Sequence, residues 1–380
     1  MKVLLNENKY KSLKRSNPKI YVLGCVGRSG INFLHSKLDS HPEILIMPDL
    51  SFFRSIYGFK NSKFYKNTCS TDENKFCKYF VNYLYSNRKN DLEKEFLFSK
   101  KQRKDFLKSL NKYINKNKKY KFYTRLFYAF HYAFAEIRKI NINNIKVIIS
   151  HEHSSHFLQE YFKYIRNVRF IIMIRNPISI FAGLKFFNIS RYKKHPPISL
   201  DFHIGQIFSI IKFLKNNKSI IIKNEIMNKN INYFLEKLEK KLGVKKTNLI
   251  KKSTYLGKKW SGDSAYLMTY SYSRHYQTQK KTPKNFHLEK NQLKRTLKVL
   301  DEKEIILTEV LLKSIYKKFN YNFIIKDSLT KSIKGYFYYL TIYNQREGLN
   351  KNFINYIKCC LRRILLLFNS RKIYFWLGIS

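Results

Sequence analysis

The sequence predicts an α/β chain built on a central parallel sheet, and three observations carry that prediction. Four short runs, Ile20–Leu23, Val147–Ile149, Phe170–Ile174 and Ile220–Ile222, are brief, apolar and rich in β-branched residues, as expected of strands buried on both faces. Segments with helical spacing separate them, and strands that alternate with helices need crossover connections, hence a parallel sheet covered on both sides. At 380 residues and 44% hydrophobic, the chain can bury one substantial core with appended segments, or two modest domains.

The elements follow in order. Residues 1–18 read as an N-terminal extension, in which "MKVLLNENKYKSLKR" has neither the apolar run nor the cleavage site of a secretory signal. After the first strand, Ile31, Leu34 and Leu38 share one helical face. The stretch from about 55 to 140 includes "NKYINKNKKYKFYTRLFYAFHYAFAEIRK", helical in spacing and free of Gly and Pro, which reads as a helical insertion laid over the sheet to shape a substrate cleft. Leu158, Tyr161, Phe162 and Ile165 then form one face, as do Ile231, Phe234, Leu235, Leu238 and Leu242, with Gly243 placed as a C-terminal cap. "KTPKNFHLEKNQ" reads as loop, and Leu300 to Tyr316 as one amphipathic helix that closes a main domain spanning 19–325.

Residues 330–380 form a basic, aromatic C-terminal tail. No stretch reaches the ~18 uninterrupted apolar residues that span a bilayer. One reading of the tail is an interfacial helix on an anionic membrane, with Arg362, Arg363, Arg371 and Lys372 near the head groups. The other is a helical pair docked on the core, or a partner-binding tail.

Lys and Arg number 75 against 25 Asp and Glu, a formal net charge of +50, which draws polyanions to the surface without naming one. The excess of Lys, Asn, Ile, Tyr and Phe, all with A/T-rich codons, gives genomic base composition as a competing source of that charge. Cys25, Cys69, Cys77, Cys359 and Cys360 are odd in number and lack paired ligand spacing, which fits a reducing compartment. The expected location is cytoplasmic, with a peripheral place on the inner face of the membrane as the tail's alternative.

Chemistry concentrates in "VLGCVGRSGINFLHSKLDSHPEI", a strand, a glycine loop and a helix. Such a helix starts with unpaired N–H groups at the positive end of its dipole, a favourable place for a phosphate. Gly27 and Gly30 permit close backbone approach, and Arg28 adds forked donors suited to phosphate or sulfate oxygens. A plain tight turn with a solvated arginine is the structural alternative. A magnesium-dependent nucleotide loop would need GxxxxGK[ST], but Ile31 and Asn32 follow Gly30, so ATP or GTP hydrolysis is disfavoured.

"GRSGINFLHSKLDSHPEI" resembles the 5′-phosphosulfate loop and first helix of sulfotransferases that use 3′-phosphoadenosine 5′-phosphosulfate, with the His41, Pro42, Glu43 turn matching. "RFIIMIRNPISIFAG" resembles the family's strand and turn for the 3′-phosphate, "STYLGKKWSGDS" its Gly-Lys-x-Trp segment, and "IIIKNEIM" with a later "LGV" the elements between. The matches run in order from Lys19 to about Tyr321. The resemblance is to the bacterial glycan and lipid type. It implies a three-layer P-loop-like α/β fold with a central parallel sheet, a helical insertion after the first strand-helix unit and a C-terminal helical tail.

It further implies 3′-phosphoadenosine 5′-phosphosulfate as co-substrate and no metal. The nucleotide would be held by Gly27, Arg28, Ser29, Gly30, Ile31, Asn32, Arg175 and Gly183, with Lys258, Lys259 and Trp260 over the adenosine. Ile31 and Asn32 stand where the family has two threonines, so backbone N–H groups with Asn32 must serve. Gly183 stands where it has a serine, leaving Arg175 with Ser179 or Ser190.

Sulfuryl transfer needs an in-line acceptor, a base, and cationic donors at the leaving phosphate. The resemblance gives Arg28 the last role. For the base, "PDLSFF" places Asp49 at the family's carboxylate position. His151, Glu152 and His153 in "SHEHSSH" compete, placed just past the second predicted strand, where parallel sheets bind ligands. Those histidines also read as caps of the next helix, and no third ligand gives them a metal. The expected acceptor is a glycan, a lipid or a small molecule. A polyanion or nucleic-acid binder without catalysis, and a nucleotide kinase, are the rival readings; no specific nucleic acid is expected as partner.

Overall fold

The computed structural model describes residues 18–47, 51–62, 65, 72–87, 100–116, 118, 120–152, 157–192, 200–216, 219–260, 294, 296–346 and 361. In chain order the elements are β1 (Lys19–Cys25), α1 (Ile31–Leu38), β2 (Ile44–Ile46), α2 (Phe52–Lys60), α3 (Glu73–Asn87), α4 (Lys100–Lys116), α5 (Phe122–Ile137), β3 (Val147–Glu152), α6 (Leu158–Tyr164) and β4 (Arg169–Ile174). There follow α7 (Pro177–Tyr192), α8 (Leu200–Asn216), β5 (Ser219–Lys223), α9 (Asn224–Lys229), α10 (Ile231–Leu242), β6 (Thr254–Tyr255), β7 (Lys258–Lys259), α11 (Glu302–Leu311), α12 (Lys313–Phe319) and α13 (Leu329–Arg346).

Five strands pair in the order β2-β3-β1-β4-β5, every pair parallel. Side chains alternate across each strand, so β1 sends Ile20 and Val22 to one core and Tyr21, Leu23 and Cys25 to the other. Helices α2 to α8 and α11 and α12 cover the first face, while α1 and α10 cover the second. The result is the expected three-layer α/β architecture on a central parallel sheet. Helices α2 to α5 lie between β2 and β3 and supply an aromatic core, with Phe52 edge-on to Phe127 at 5.4 Å and Phe106 edge-on to Phe130 at 5.0 Å.

Three details differ from the sequence expectation. Strand β2 follows directly from the His41–Glu43 turn, where no strand was expected; its three residues are too few for a period. The His-Pro-Glu turn itself is a structural staple. His41 Nε2 donates to the Lys245 carbonyl at 3.0 Å and Nδ1 accepts the Glu43 N–H at 3.1 Å, which fixes the neutral tautomer. The Glu43 carboxylate accepts the Lys245 N–H at 2.8 Å and pairs with Lys146 at 2.7 Å, tying the segment after α10 to the sheet edge.

Phe162 is 63% exposed and does not share the buried face of α6, which Leu158 and Tyr161 form. The predicted helix from Leu300 to Tyr316 is two helices. Asp301 and Glu304 form a reciprocal capping box that starts α11 after Leu300, and α11 ends at Leu312, where α12 begins. Gly243 caps α10 in the left-handed conformation, φ 75°, as its position requires. Among the sequence readings, Asp49, His153, the "KTPKNFHLEKNQ" loop and the N-terminal extension to residue 17 lie outside the described residues, as does the tail beyond Arg346 apart from Leu361.

Candidate active site

The glycine loop joins β1, the middle strand, to α1 at the C-terminal edge of the sheet, where parallel sheets open to ligands. Two non-adjacent residues take left-handed conformations, Arg28 at φ 68° and Gly30 at φ 90°. The Ser29 N–H donates to the Val26 carbonyl at 3.2 Å and closes the turn. Gly30 must be glycine: besides its φ, a Cβ there would lie 2.3 Å from Asn224 Nδ2. On the outer side of the turn, nothing lies within 4 Å of where a Cβ of Gly27 would sit.

Helix α1 begins without a side-chain cap, so no capping side chain takes up its first N–H groups. Ser29 is fully buried in the same turn, and its Oγ has no hydrogen-bond partner among the described residues.

Arg175, just past β4, reaches the same loop: its Nη1 donates to the Arg28 carbonyl at 2.9 Å. The Arg28 side chain in turn lies along α7, where a Cβ on Gly183 would stand 3.3 Å from Arg28 Cβ and 3.9 Å from Nε. Thus Arg175 and Gly183, distant in sequence, both touch Arg28, one at its carbonyl and the other along its side chain. Gly183 acts there as the space that lets the Arg28 side chain lie flat.

Residues with no sequence expectation of a role support this meeting. Asn176 Oδ1 accepts the Ile178 N–H at 3.1 Å and the Tyr316 hydroxyl at 3.2 Å, starting α7. The Asn176 N–H donates to Glu225 Oε1 at 2.8 Å, and the Tyr321 hydroxyl donates to Oε2 at 3.3 Å. Burial and the Glu225 carboxylate push the Tyr321 phenol far up, so it stays a donor. Glu225 thereby fixes the turn that presents Arg175. In the sequence, Glu225 lies in the "IIIKNEIM" stretch that resembles a family element, but no role is attached to it there.

Strand β3 runs three residues further than predicted, through Ser150, His151 and Glu152, of which the last two pair with Leu23 and Gly24 of β1. Both are buried, and strand alternation sends them to opposite faces. His151 Nδ1 lies 3.1 Å from His35 Nδ1 of α1, so one ring donates and the other accepts. The His35 ring stacks on Tyr255 at 5.3 Å. Glu152 faces the helical layer instead, near Tyr161, whose hydroxyl bonds Ser150 Oγ at 2.9 Å and accepts the Phe52 N–H at 3.2 Å. Burial, then the Glu152 charge, push the Tyr161 phenol well above its usual range. The placement beyond the strand end is therefore corrected: His151 and Glu152 belong to the sheet itself.

The β6–β7 hairpin completes the surroundings. Asp39 at the end of α1 accepts from Thr254 Oγ1 at 2.8 Å and from the Gly257 N–H at 2.9 Å, and the Trp260 N–H closes on the Ser253 carbonyl at 2.9 Å. Trp260 consequently sits 6.2 Å, ring to ring, from Phe33 in the first turn of α1. Lys258 and Lys259 form β7 of the same hairpin. Among the described residues, no group of three or more His, Cys, Asp or Glu is arranged to hold a metal ion.

No family model matches this sequence, and no curated protein matches it. Among solved structures, the chain is similar to a sulfotransferase domain. That domain, from the Synechococcus PCC 7002 olefin synthase, shares 13% identity with a TM-score of 0.42, over 75% of this chain and 95% of its own.

Proposed function

We propose that the chain is a sulfotransferase that moves a sulfuryl group from 3′-phosphoadenosine 5′-phosphosulfate to a hydroxyl or amine of a glycan, glycolipid or small-molecule acceptor. The observation that carries this reading is the junction of Arg28 and Arg175 at an uncapped helix start beside an open glycine. Two guanidinium groups and a set of amide hydrogens gathered in one turn suit a ligand with several anionic groups. The motif resemblance supplies its identity. The loop lacks the lysine and hydroxyl of a magnesium nucleotide site, which favours a donor that needs no metal.

On this reading the N–H groups of Gly30, Ile31 and Asn32 hold the 5′-phosphosulfate. Arg175, whose forked donors serve the Arg28 carbonyl and an anion together, holds the 3′-phosphate. Trp260 covers the adenosine, with Lys258 and Lys259 beside it. The donor supplies an activated sulfuryl group: the acceptor oxygen bonds to sulfur as the sulfur–oxygen bond to phosphate breaks, and the phosphate keeps the electron pair. Arg28 stabilises that growing charge. The acceptor proton passes to a base, for which Glu152, Asp49, His151 and His153 are the candidates. Glu152 is favoured among the described ones because it faces the layer of α2, whereas His151 is engaged by His35 on the other face.

This domain would span 19–325, with a helical insertion over about 55–140. The enzyme would be cytoplasmic, with the tail of 330–380 in peripheral contact with the inner membrane face.

Calorimetry with 3′-phosphoadenosine 5′-phosphate tests the site. Wild type should bind with or without magnesium, and Arg28→Gln and Arg175→Gln should each weaken binding about tenfold to a hundredfold, the worth of a hydrogen bond to a charged group. Equal affinity in all three proteins, or binding of ATP that requires magnesium, overturns the assignment.

A further inference from the structure

The end of α2, the start of α5 and the end of α6 meet at the surface. Thr124 Oγ donates to the Tyr164 carbonyl at 2.7 Å and ties α5 to α6. Beside that bond the Tyr123 and Tyr164 rings lie 4.9 Å apart, and Tyr164 stacks at 5.6 Å on Phe53 of α2, which is buried. An aromatic base thus holds two half-buried phenols in place. An exposed lysine stands at each: Lys60 Nζ lies 5.1 Å from the centre of the Tyr123 ring and Lys163 Nζ 4.9 Å from that of Tyr164, each ammonium within reach of its phenol oxygen.

In each pair the lysine donates and the phenol oxygen accepts, so each hydroxyl keeps its own hydrogen to donate and each ammonium keeps others. Among the described residues neither lysine makes an ion pair, and Glu160, one turn earlier on α6, acts on Lys163 through space alone. What fits such a set of donors is visible elsewhere in the same molecule. Lys112 stands over Tyr113 in the same way, Nζ 5.2 Å from the ring centre, and there Glu136 of α5 completes the arrangement, accepting from Lys112 at 3.2 Å and from the Tyr113 hydroxyl. At Tyr123 and Tyr164 two such lysine–tyrosine pairs stand side by side without the carboxylate.

The surface here is made of helices, whose backbone groups are paired internally, so it offers an extended peptide no strand edge. It offers aromatic rings instead: Tyr57 of α2 is 40% exposed and Phe162 of α6 63% exposed, on the two helices that carry the lysines. Flat apolar faces beside donors for a carboxylate suit the ring of an acidic sugar.

We propose that Lys60, Tyr123, Tyr164 and Lys163 bind the carboxylate of a uronic acid unit in a glycan chain. Lys60 ends α2 and Phe52 begins it, about 12 Å away along the helix, and the Phe52 N–H bonds Tyr161 beside Glu152. A glycan gripped at the cluster and reacting at Glu152 would therefore be a chain and not a single sugar. Its role as acceptor rests on the sulfotransferase reading; the binding itself does not.

The test is calorimetry of the full chain with trigalacturonate in 0.15 M sodium chloride, where exposed charges are screened beyond about 8 Å. Wild type should bind trigalacturonate and not its methyl ester, which keeps the rings and loses the charge. Tyr123→Phe/Tyr164→Phe, which preserves charge and packing, should weaken binding about tenfold, and Lys60→Gln/Lys163→Gln about tenfold to a hundredfold. Lys240→Gln/Lys241→Gln removes the same charge from exposed positions of α10, on the other face of the sheet, and should change nothing. An inert wild type, wild-type affinity in the phenylalanine variant, an equal loss in the α10 variant, or triglutamate bound as tightly as trigalacturonate would each overturn the proposal, the last in favour of an acidic peptide. Affinity for 3′-phosphoadenosine 5′-phosphate should be the same in all four proteins. A wild type that binds the sugar acid but not the nucleotide would leave this site standing and remove the sulfotransferase reading.

Discussion

His131 is a histidine placed where its proton chemistry affects only stability. It is buried among the aromatic rings of α5, Nδ1 donates to the Phe127 carbonyl at 2.8 Å, and Nε2 has no partner among the described residues. Burial pushes the imidazole down from 6.5 to about 4. The folded state therefore holds His131 neutral while the unfolded chain binds a proton below about 6.5. Its contribution is complete above that pH and is lost as pH falls from about 6.5 to about 4, amounting to roughly 3 kcal/mol. Thermal melts should show the wild type losing stability over that window, and His131→Phe, which needs no proton balance, should flatten the slope. Parallel curves for the two proteins would remove His131 from the acid response.

At the level of elements, the C-terminal helices are joined by a charge that has left water. Glu309 of α11 and Lys331 of α13 pair at 2.6 Å with both side chains buried. The same carboxylate accepts the Ile324 and Ile325 N–H groups, and Lys331 also donates to the Ile325 carbonyl at 2.6 Å. Removing one member strands the other charge, so Lys331→Met should cost about 3 kcal/mol or more in urea unfolding. Lys331→Met/Glu309→Gln should recover part of that loss, because a neutral amide still accepts the two N–H bonds. A double variant no better than the single would mean that lost packing, not the stranded carboxylate, sets the cost.

This pair had no signal in the sequence, since Lys331 looks like any surface lysine of a basic helix. The strands around the site were legible for the opposite reason: β1, β3 and β4 are buried on both faces and declare it in apolar runs, whereas β5, expected to be the same, is an edge strand that leaves Ile221 46% exposed. Arg28 stood out as a charge in a glycine loop after a strand, and Arg175 only through the resemblance of "RFIIMIRNPISIFAG" to a family turn. Their direct contact, and the service of Glu225 and His35, arise from tertiary neighbours that no local pattern encodes. Strand β2 and the break at Leu312 were missed because a three-residue strand has no period and the break carries no side-chain cap, Gly or Pro to mark it.

Across the whole molecule, 75 basic side chains face 25 acidic ones, so even complete pairing would leave two-thirds of the cations without a carboxylate. Several acids are engaged by lysines at close range, such as Glu304 by Lys185 at 2.7 Å and Glu136 by Lys112 at 3.2 Å. What remains is mutual repulsion among lysines, which folding brings closer together and unfolding relaxes. Salt screens that repulsion with a Debye length falling from about 30 Å at 0.01 M to about 10 Å at 0.1 M, distances comparable to the spacing of surface charges. It also weakens exposed ion pairs, but these contribute at most about 1 kcal/mol each. The balance predicts a melting temperature that rises with sodium chloride over this range, levelling off once the screening length is shorter than the charge spacing. The same screening should release bound heparin or DNA steeply and equally from wild type and Arg28→Gln, because that attachment is to diffuse charge and not to the glycine loop. A melting temperature that fell with salt would mean that the few ion pairs outweigh the excess of lysine, and that the positive charge is arranged to be neutralised within the fold.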